Sequence, residues 1–343
     1  MATEGEVVCV TGGSGCIGSW LVRLLLDTVQ ISVKDESETK HLEALEGAET
    51  RLRLFQIDLV DYGSIVSALN GCVVVFHLAS PSTIEQVQDP EGTINVLTAA
   101  KEAGVSRVVV TSSMLAMTTS ANWRDDVVEA EDYWTDIEDC KKKGFWYPIS
   151  KTLAEKAAWD FPKEKGLDVV VVNPGLVLGP VIPPRINGSM LLFGSLLQGS
   201  YTWVVPSLEK GTVLAFCRYS LGCQKHVTLC YSPGWEVAIL KAKEAKDNAC
   251  QVISSMQNRG RTEAPEDLFM GFVHFKDVAL AHILVYENKS ATGRHLLPKD
   301  TQPRLSKATL GSKRLRDLGL QFIPVEQIIK DAVESLKSRG FIS

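Results

Sequence analysis

The chain has 343 residues, of which 45% are hydrophobic and 22% are charged, and its net charge is −5 at pH 7. This composition is typical of a globular protein with an ample core, and the negative charge disfavours nucleic acid or an anionic membrane as main partner. The acidic N-terminus lacks the pattern of a secretory signal, and no segment reaches the roughly 18 apolar residues of a membrane span. We therefore expect a cytoplasmic protein. We also expect it to be a monomer or weak dimer.

The first half of the chain alternates short β-branched segments with longer amphipathic ones. Several of the short segments are apolar throughout, as expected when helices cover both faces of a parallel sheet. The pattern predicts a Rossmann-type, doubly wound α/β fold; a barrel of eight units would need more regular repetition. The predicted strands are residues 7–11, 29–33, 52–57, 73–78, 107–112 and 169–173. The predicted helices between them are residues 16–26, 62–70, 92–103 and 148–165.

The pattern changes after the segment Asn-Pro-Gly at 173–175, where several prolines and glycines follow. We predict a nucleotide-binding domain over residues 1–175 and a smaller substrate lobe over 176–343. Sheet elements return at about 272–287, with a strand at 272–275 and a helix at 276–287, and a final amphipathic helix covers 325–339. The segment from about 201 to 263 has no sustained period of 2 or 3.6 and is predicted to be an atypical insertion.

Within that insertion lies a loose group of metal-ligating residue types, namely Cys217, Cys223, His226 and Cys230. Their spacing fits no familiar zinc pattern. We therefore predict that the protein holds no metal.

A glycine-rich turn, Thr-Gly-Gly-Ser-Gly-Cys-Ile-Gly at residues 11–18, joins the first predicted strand to the first helix. Such glycines allow a tight turn, close approach of the backbone to a pyrophosphate and close packing of helix on sheet. The helix N-terminus then directs its N–H groups and positive dipole end at the phosphates. The alternative is a purely structural turn. The predicted cofactor-binding residues here are Gly12, Ser14, Gly15, Cys16, Ile17 and Gly18.

Two strand ends bear on the identity of the cofactor. Lys34 directly follows the second strand, where a basic residue favours the 2′-phosphate of NADP, although acids occupy the next two positions. We predict NADP(H) rather than NAD(H). Asp58 and Leu59 follow the third strand and are predicted to contact the adenine end of the cofactor. For Asp58, a helix N-cap or an ordinary loop aspartate is the alternative.

Tyr147 and Lys151 are spaced by four residues, which places both side chains on one helix face, one turn apart. A lysine ammonium stabilises the phenolate form of a neighbouring tyrosine, so the tyrosine can act as a general acid toward a carbonyl oxygen. Taken alone, this spacing is common and mostly structural. Its position between the fifth and sixth strands, downstream of the glycine turn, favours the catalytic interpretation.

Hydroxyl side chains end the fifth predicted strand at the sheet edge where ligands bind in this architecture. We favour Ser113 over Ser112 as the group that orients a substrate carbonyl, because Ser112 would still be aligned with the strand. The alternative is a hydroxyl that caps a turn.

With these motifs in this order, the chain resembles the extended short-chain dehydrogenase/reductases, and more narrowly the plant cinnamoyl-CoA reductase and dihydroflavonol reductase group. Further matches are His-Leu-Ala-Ser-Pro at 77–81, Trp-Tyr-Pro-Ile-Ser-Lys at 146–151 and Phe-Val-His-Phe-Lys-Asp-Val-Ala at 272–279. The resemblance implies catalytic roles for Ser113, Tyr147 and Lys151.

The resemblance also implies that Ala79 and Ser80 lie near the cofactor ribose and that Pro174 packs by the nicotinamide. It implies NADPH-dependent reduction of an aromatic or phenylpropanoid aldehyde, ketone or CoA thioester. Residues 145–151 read Phe-Trp-Tyr-Pro-Ile-Ser-Lys, where true cinnamoyl-CoA reductases have Asn-Trp-Tyr-Cys-Tyr-Gly-Lys. This departure favours a free aldehyde or ketone over a CoA thioester.

Several family segments are shortened, including the region around His295–Pro298, and they flank the insertion at 201–263. These features support an alternative, a catalytically impaired or non-catalytic nucleotide-binding homologue that arises from an altered gene model. A sugar-nucleotide epimerase shares the motifs but not the Trp146-Tyr147 context. Because tyrosine and lysine are both present, we predict an enzyme, an NADPH-dependent carbonyl reductase.

Overall fold

The computed structural model describes residues 6–26, 29–33, 39–80, 89–117, 134–198, 204–206, 213–215, 271–297 and 308–342. Its main feature is a seven-stranded parallel sheet with the order β3-β2-β1-β4-β5-β6-β11. The strands are β1 (Val8–Thr11), β2 (Val29–Val33), β3 (Leu52–Gln56), β4 (Val74–His77), β5 (Arg107–Thr111), β6 (Val169–Pro174), β7 (Leu176–Leu178), β8 (Val204–Pro206), β9 (Val213–Ala215), β10 (Phe272–His274) and β11 (Gly293–Leu297).

Helices connect and cover these strands, and a short 3₁₀ helix (Met114–Ala116) follows β5. The α-helices are α1 (Cys16–Leu25), α2 (Lys40–Glu43), α3 (Ala48–Arg51), α4 (Tyr62–Leu69), α5 (Asp89–Glu102), α6 (Ile137–Lys143), α7 (Trp146–Lys165), α8 (Gly188–Leu197), α9 (Phe275–Glu287), α10 (Ala308–Asp317) and α11 (Val325–Ser338). None of these helices is long and apolar enough to cross a membrane.

The doubly wound fold is confirmed, and the six predicted strands of the first half differ from the observed ones by at most one residue at either end. Strand order reverses at β1, which pairs with β2 on one side and with β4 on the other. In open parallel sheets, ligands bind at the carboxyl ends of the strands beside such a reversal. The fold therefore predicts a ligand site at the carboxyl end of β1.

Both faces of the sheet are covered, which explains the uninterrupted apolar strands. In β1, Val8 and Val10 belong to one apolar cluster and Cys9 to the other, and all three are fully buried. Helices α1 and α9 contribute to the first cluster, whereas α4, α5 and α7 contribute to the second. Each fully buried aliphatic side chain stabilises the fold by about 1.5–3 kcal/mol relative to exposure.

The second half returns to the main sheet later than predicted. The predicted strand at 272–275 is observed as β10, which pairs in parallel with β7 in a separate two-stranded sheet. The strand that joins the main sheet is β11, beside β6, and the sequence did not predict it. Because residues beyond 175 thus complete the sheet, the division into a nucleotide-binding domain and a substrate lobe stays a prediction.

Of the predicted insertion at about 201–263, the structure describes two short strands, β8 and β9, which pair antiparallel. The loose cluster of metal-ligating residue types and Lys34 lie outside the described residues. Within the described ranges, no three His, Cys, Asp or Glu side chains are grouped as a metal site would require.

Candidate active site

The glycine turn lies between β1 and α1, at the carboxyl end of the sheet. Gly12 has φ +72°, and a Cβ there would lie 2.8 Å from the backbone nitrogen of Ala79. A Cβ on Gly18 would overlap the carbonyl oxygen of Gly12. Helix α1 is capped by Gly15 without a side-chain hydrogen bond, and its first turn carries no acid. The turn therefore has the close backbone packing and the helix N-terminus that a pyrophosphate requires.

The other predicted members of this turn differ in exposure. Ser14 and Ile17 are partly exposed, whereas Cys16 is buried and its thiol donates a weak hydrogen bond to the carbonyl oxygen of Arg185 at 3.5 Å. Burial raises the pKa of the Cys16 thiol to about 11. Its neutral side chain is thus used in packing, and what Cys16 can offer a cofactor is its backbone N–H.

A hydrogen-bonded chain ties the glycine turn to the end of β4. The Ala79 N–H donates to Thr11 Oγ1 at 3.2 Å, and Thr11 Oγ1 lies 2.8 Å from His77 Nδ1. On the other side of the ring, His77 Nε2 lies 3.4 Å from Thr93 Oγ1. These hydrogen bonds hold Ala79 beside the glycine turn, and the partly buried Ser80 follows it in sequence. Both are predicted ribose contacts. Sequence analysis missed the role of His77, which lies inside the motif at 77–81.

Asp58 is exposed, and its carboxylate accepts a hydrogen bond from the Val60 N–H at 3.2 Å. The N-cap of α4 is Asp61, which accepts from the N–H groups of Gly63 and Ser64 at 3.1 and 3.5 Å. The N-cap alternative for Asp58 is therefore wrong. Its contact with the adenine end of a cofactor stays a prediction.

Leu59 and Pro174 are the remaining predicted cofactor contacts. The Leu59 carbonyl accepts from Asn95 Nδ2 at 2.9 Å, and its side chain packs so closely on α5 that a Cβ on Gly92 would lie 3.0 Å away. Pro174 is buried at the end of β6, in register with Leu297 of β11. Both therefore border the carboxyl end of the sheet from opposite sides of the glycine turn.

Tyr147 and Lys151 both lie in the first two turns of α7. Tyr147 is 40% exposed, whereas Lys151 is 8% exposed, and Lys151 Nζ lies 5.9 Å from the centroid of the tyrosine ring. A small cavity of about 10 Å³, room for one water molecule, is lined by Lys151 together with Ala79, Ser112 and others. The lysine is thus near the predicted ribose contacts, and the tyrosine lies at the surface above it.

The two serines after β5 have different partners. The Ser112 N–H still bonds the neighbouring strand at Val172 O, at 2.9 Å, and its hydroxyl donates to Glu155 Oε2 at 2.5 Å. Ser113 is the N-cap of the 3₁₀ helix, where its Oγ accepts from the Leu115 N–H at 3.2 Å, so the turn-capping contact of the alternative is present. The Ser112 hydroxyl thus donates its proton to a buried protein group. The Ser113 oxygen only accepts in this contact, so its proton can be donated to a ligand.

Sequence analysis missed a buried carboxylate behind the site. Glu155 is 1% exposed, and besides Ser112 it accepts from Asn173 Nδ2 at 2.8 Å and from Trp159 Nε1 at 3.2 Å. It also forms a buried ion pair with Arg294 of β11. Its spacing of four residues from Lys151, one helical turn away, was a signal. Its partners on the strands, Ser112, Asn173 and Arg294, are distant in sequence.

Comparison with known proteins places this geometry in context. Residues 8–195 match the model of the NAD dependent epimerase/dehydratase family. Cinnamoyl-CoA reductase 2 of Medicago truncatula is 36% identical, covering 98% of this chain and 93% of the relative. Cinnamoyl-CoA reductase 1 of Petunia hybrida is 35% identical, covering 99% and 95%. These matches confirm the predicted resemblance and an NAD(P)-dependent oxidoreductase, and they do not favour the impaired homologue.

Solved structures agree on the fold. Vestitone reductase from alfalfa has a TM-score of 0.67 at 24% identity, covering 98% of this chain and 99% of that structure. The yeast methylglyoxal/isovaleraldehyde reductase complexed with NADPH has a TM-score of 0.68 at 20% identity, covering 98% and 100%. At these identities the likeness shows a shared fold.

Proposed function

The chain belongs to the NAD dependent epimerase/dehydratase family, and from that premise we propose that it is an NADPH-dependent carbonyl reductase. The observation that carries this proposal is the pair on α7, an exposed Tyr147 one helical turn from a buried Lys151. The cavity that Lys151 shares with Ala79 links this pair to the glycine turn.

The glycine turn fits a dinucleotide, because the missing side chains at Gly12 and Gly18 let the turn pack directly on Ala79 and on the start of α1. This packing is the tight turn and close helix approach of a pyrophosphate site. The N–H groups at the start of α1 would hold the pyrophosphate, and Ala79 and Ser80 would border the ribose. When bound, NADPH supplies the hydride. The yeast reductase with the same fold was crystallised with NADPH, which supports this choice of cofactor.

Three side chains would act on the carbonyl group. The Tyr147 hydroxyl donates its proton to the carbonyl oxygen, and the ammonium of Lys151 stabilises the phenolate that remains. The Ser113 hydroxyl donates a hydrogen bond to the same oxygen and orients it. Ser112 has no such role, because its proton is held by Glu155.

The proposed substrate is an aromatic or phenylpropanoid aldehyde or ketone, with a CoA thioester as a less favoured member of the class. The support for the aromatic class is the similarity to proteins named cinnamoyl-CoA reductases. The departure at Pro148, Ile149 and Ser150 from the usual signature favours the free carbonyl compound.

The test is to follow oxidation of NADPH and NADH by the purified protein with cinnamaldehyde, phenylacetaldehyde and a cinnamoyl-CoA thioester. We expect turnover of an aldehyde with NADPH, and a fall in kcat of about 10²–10⁴-fold in Tyr147→Phe, the range for loss of a general acid. The variant should keep its stability, because Tyr147 is 40% exposed and the change removes only its hydroxyl group. Cofactor binding without turnover of any of the three compounds would reject the proposed function in favour of a nucleotide sensor.

A further inference from the structure

We propose that Glu155, held by Arg294, is a positioning residue that fixes the rotation of α7 and so aligns Tyr147 and Lys151 with Ser113. The roles of those three residues rest on the proposed function. The alignment itself rests on contacts that converge on a single buried carboxylate.

Four donors from four parts of the fold meet at Glu155. Ser112 lies just beyond β5, Asn173 lies in β6, Arg294 lies in β11, and Trp159 lies one turn further along α7. Residues in or just beyond three neighbouring strands therefore bond a single carboxylate of α7. A helix that rotated or slid by a fraction of a turn would break several of these bonds at once.

The same contacts connect the two parts of the site, namely the end of β5 that carries Ser113 and the helix α7 that carries Tyr147 and Lys151. Asn173 Nδ2 also donates to the carbonyl oxygen of Ser113 at 3.3 Å, so the amide bridges Glu155 and the backbone of the proposed orienting serine. In α7, Glu155 is one helical turn from Lys151, and both line the small cavity. The carboxylate thus sets the distance between the strand end that carries Ser113 and the helix that carries Tyr147.

Arg294 is itself fixed. Its guanidinium carbon lies 3.7 Å from the centroid of the Trp134 ring, and Arg294 is in register with Val171 of β6. A stacked guanidinium is constrained in orientation as well as position. Buried ion pairs are often no more stabilising than well-packed apolar residues, and in some proteins they instead select one arrangement of the groups they join. A role in alignment therefore explains this pair better than stability does.

The test uses the full-length protein and Glu155→Gln, which keeps the side-chain shape but turns one acceptor into a donor that faces other donors. Fluorescence titration counts the NADPH-binding sites, so that kcat is expressed per folded molecule. We expect this kcat to fall at least about tenfold. The Kd of NADPH should change less than about threefold, because the glycine turn is on other elements. A folded variant with kcat within about twofold of the wild type would overturn the proposal.

Two further variants should lower kcat less than Glu155→Gln does. Glu155→Asp keeps the charge on a shorter side chain and should recover part of the lost kcat. Ser112→Ala removes a single donor, should fold even where Glu155→Gln does not, and is expected to lower kcat by about threefold with little change in Kd. If Glu155→Gln fails to fold and Ser112→Ala has wild-type kcat, the proposal is rejected.

A readout independent of turnover separates this proposal from the proposed function. In Glu155→Gln, hydrogen–deuterium exchange at residues 149–153 of α7 should speed up at least about tenfold, with α1 unchanged. A uniform increase over both helices, or no change in either, would overturn the positioning role. If the wild type reduces no carbonyl, the proposed function fails, and the exchange experiment still decides the positioning role.

Discussion

Two buried arginines hold helices to the sheet at two places, and their partners differ. Arg107, 5% exposed, begins β5 at the amino end of the sheet. It pairs with Asp168 at 2.7 Å and donates to the carbonyl oxygens of Val285 and Asn288 at 2.5 and 2.8 Å, where α9 ends. It therefore satisfies the last carbonyls of a helix and complements the negative end of the helix dipole.

Arg294, 3% exposed, instead pairs with a carboxylate in the middle of α7, near the carboxyl ends of β5 and β6. The bond at Arg107 fixes where a covering helix stops, and the bond at Arg294 fixes how the helix that carries Tyr147 faces its neighbours. Loss of the first should cost stability, whereas loss of the second should cost catalysis. We make four predictions, of which the one on Arg107 tests the contrast between the two arginines directly.

The largest effect is expected in the glycine turn at the carboxyl end. Gly18→Ala places a methyl group against the carbonyl oxygen of Gly12, so the turn must open and the pyrophosphate site is lost. We expect the Kd of NADPH to rise at least about 100-fold in a fluorescence titration. Gly188→Ala is the matched control, because nothing lies within 4 Å of the added Cβ. Equal affinities of Gly18→Ala and this control for NADPH would contradict the assignment of the turn.

At the amino end, Arg107→Met should lower the free energy of unfolding by about 3 kcal/mol, because it leaves the buried carbonyls at the end of α9 without their donor. Denaturant titration measures this cost. The kcat per NADPH-binding site should stay within about twofold of the wild type. Asp168→Asn should cost less, since the Asp168 side chain is 46% exposed. A tenfold loss of kcat in Arg107→Met would remove the distinction between the two arginines.

The different roles of the two arginines could not be predicted from the sequence, whereas most strands of the sheet could. Strands β1 to β6 were predicted as short segments rich in apolar residues that alternate with helix-like segments, and several of them are apolar throughout. The glycine turn and the Tyr147/Lys151 spacing are local patterns. Strand β11 was missed because Arg294 and His295 interrupt its apolar character, yet both are buried. An arginine in a strand is read as exposed unless its partner is known, and Glu155 lies 139 residues away.

The same limit applies to single residues of the site. Asp58 and Asp61 both follow β3. The predicted helix start at residue 62 was a signal for Asp61, which fills the N-cap position, and this signal was overlooked. The expectation that Ser112 is aligned with the strand is met, since its N–H bonds the neighbouring strand, and the orienting role of Ser113 stays a prediction. The sequence could not show that the Ser112 hydroxyl is used by Glu155.

Acid should destabilise the face of the sheet that α9 covers. Burial lowers the pKa of His282 to about 4, and this ring bonds Thr111 Oγ1 at 2.7 Å. The unfolded chain protonates His282 first, near pH 6.5, so stability is full above that pH and is lost as pH falls toward 4. The loss from this residue should reach about 3 kcal/mol by denaturant titration. His282→Gln should remove that part of the pH dependence; an unchanged slope would contradict it.

The smallest expected effects separate the two aspartates after β3. Asp61→Ala should cost about 1 kcal/mol of unfolding free energy through the lost N-cap, with the Kd of NADPH unchanged. Asp58→Ala should change stability little, because Asp58 is exposed, and should raise the Kd of NADPH if it contacts the cofactor as predicted. Identical NADPH affinities in the two variants would reject that cofactor contact and leave Asp58 as an ordinary loop residue.

The central claim is that Tyr147 protonates a carbonyl whose carbon receives a hydride from NADPH. The most direct measurement supplies NADPH deuterated at the transferring position together with cinnamaldehyde, and analyses the product by mass spectrometry and NMR. Wild-type protein should give cinnamyl alcohol with one deuterium on the carbinol carbon, and Tyr147→Phe should give almost none while still binding NADPH. Equal amounts of deuterated alcohol from both proteins, or alcohol without deuterium, would contradict the account.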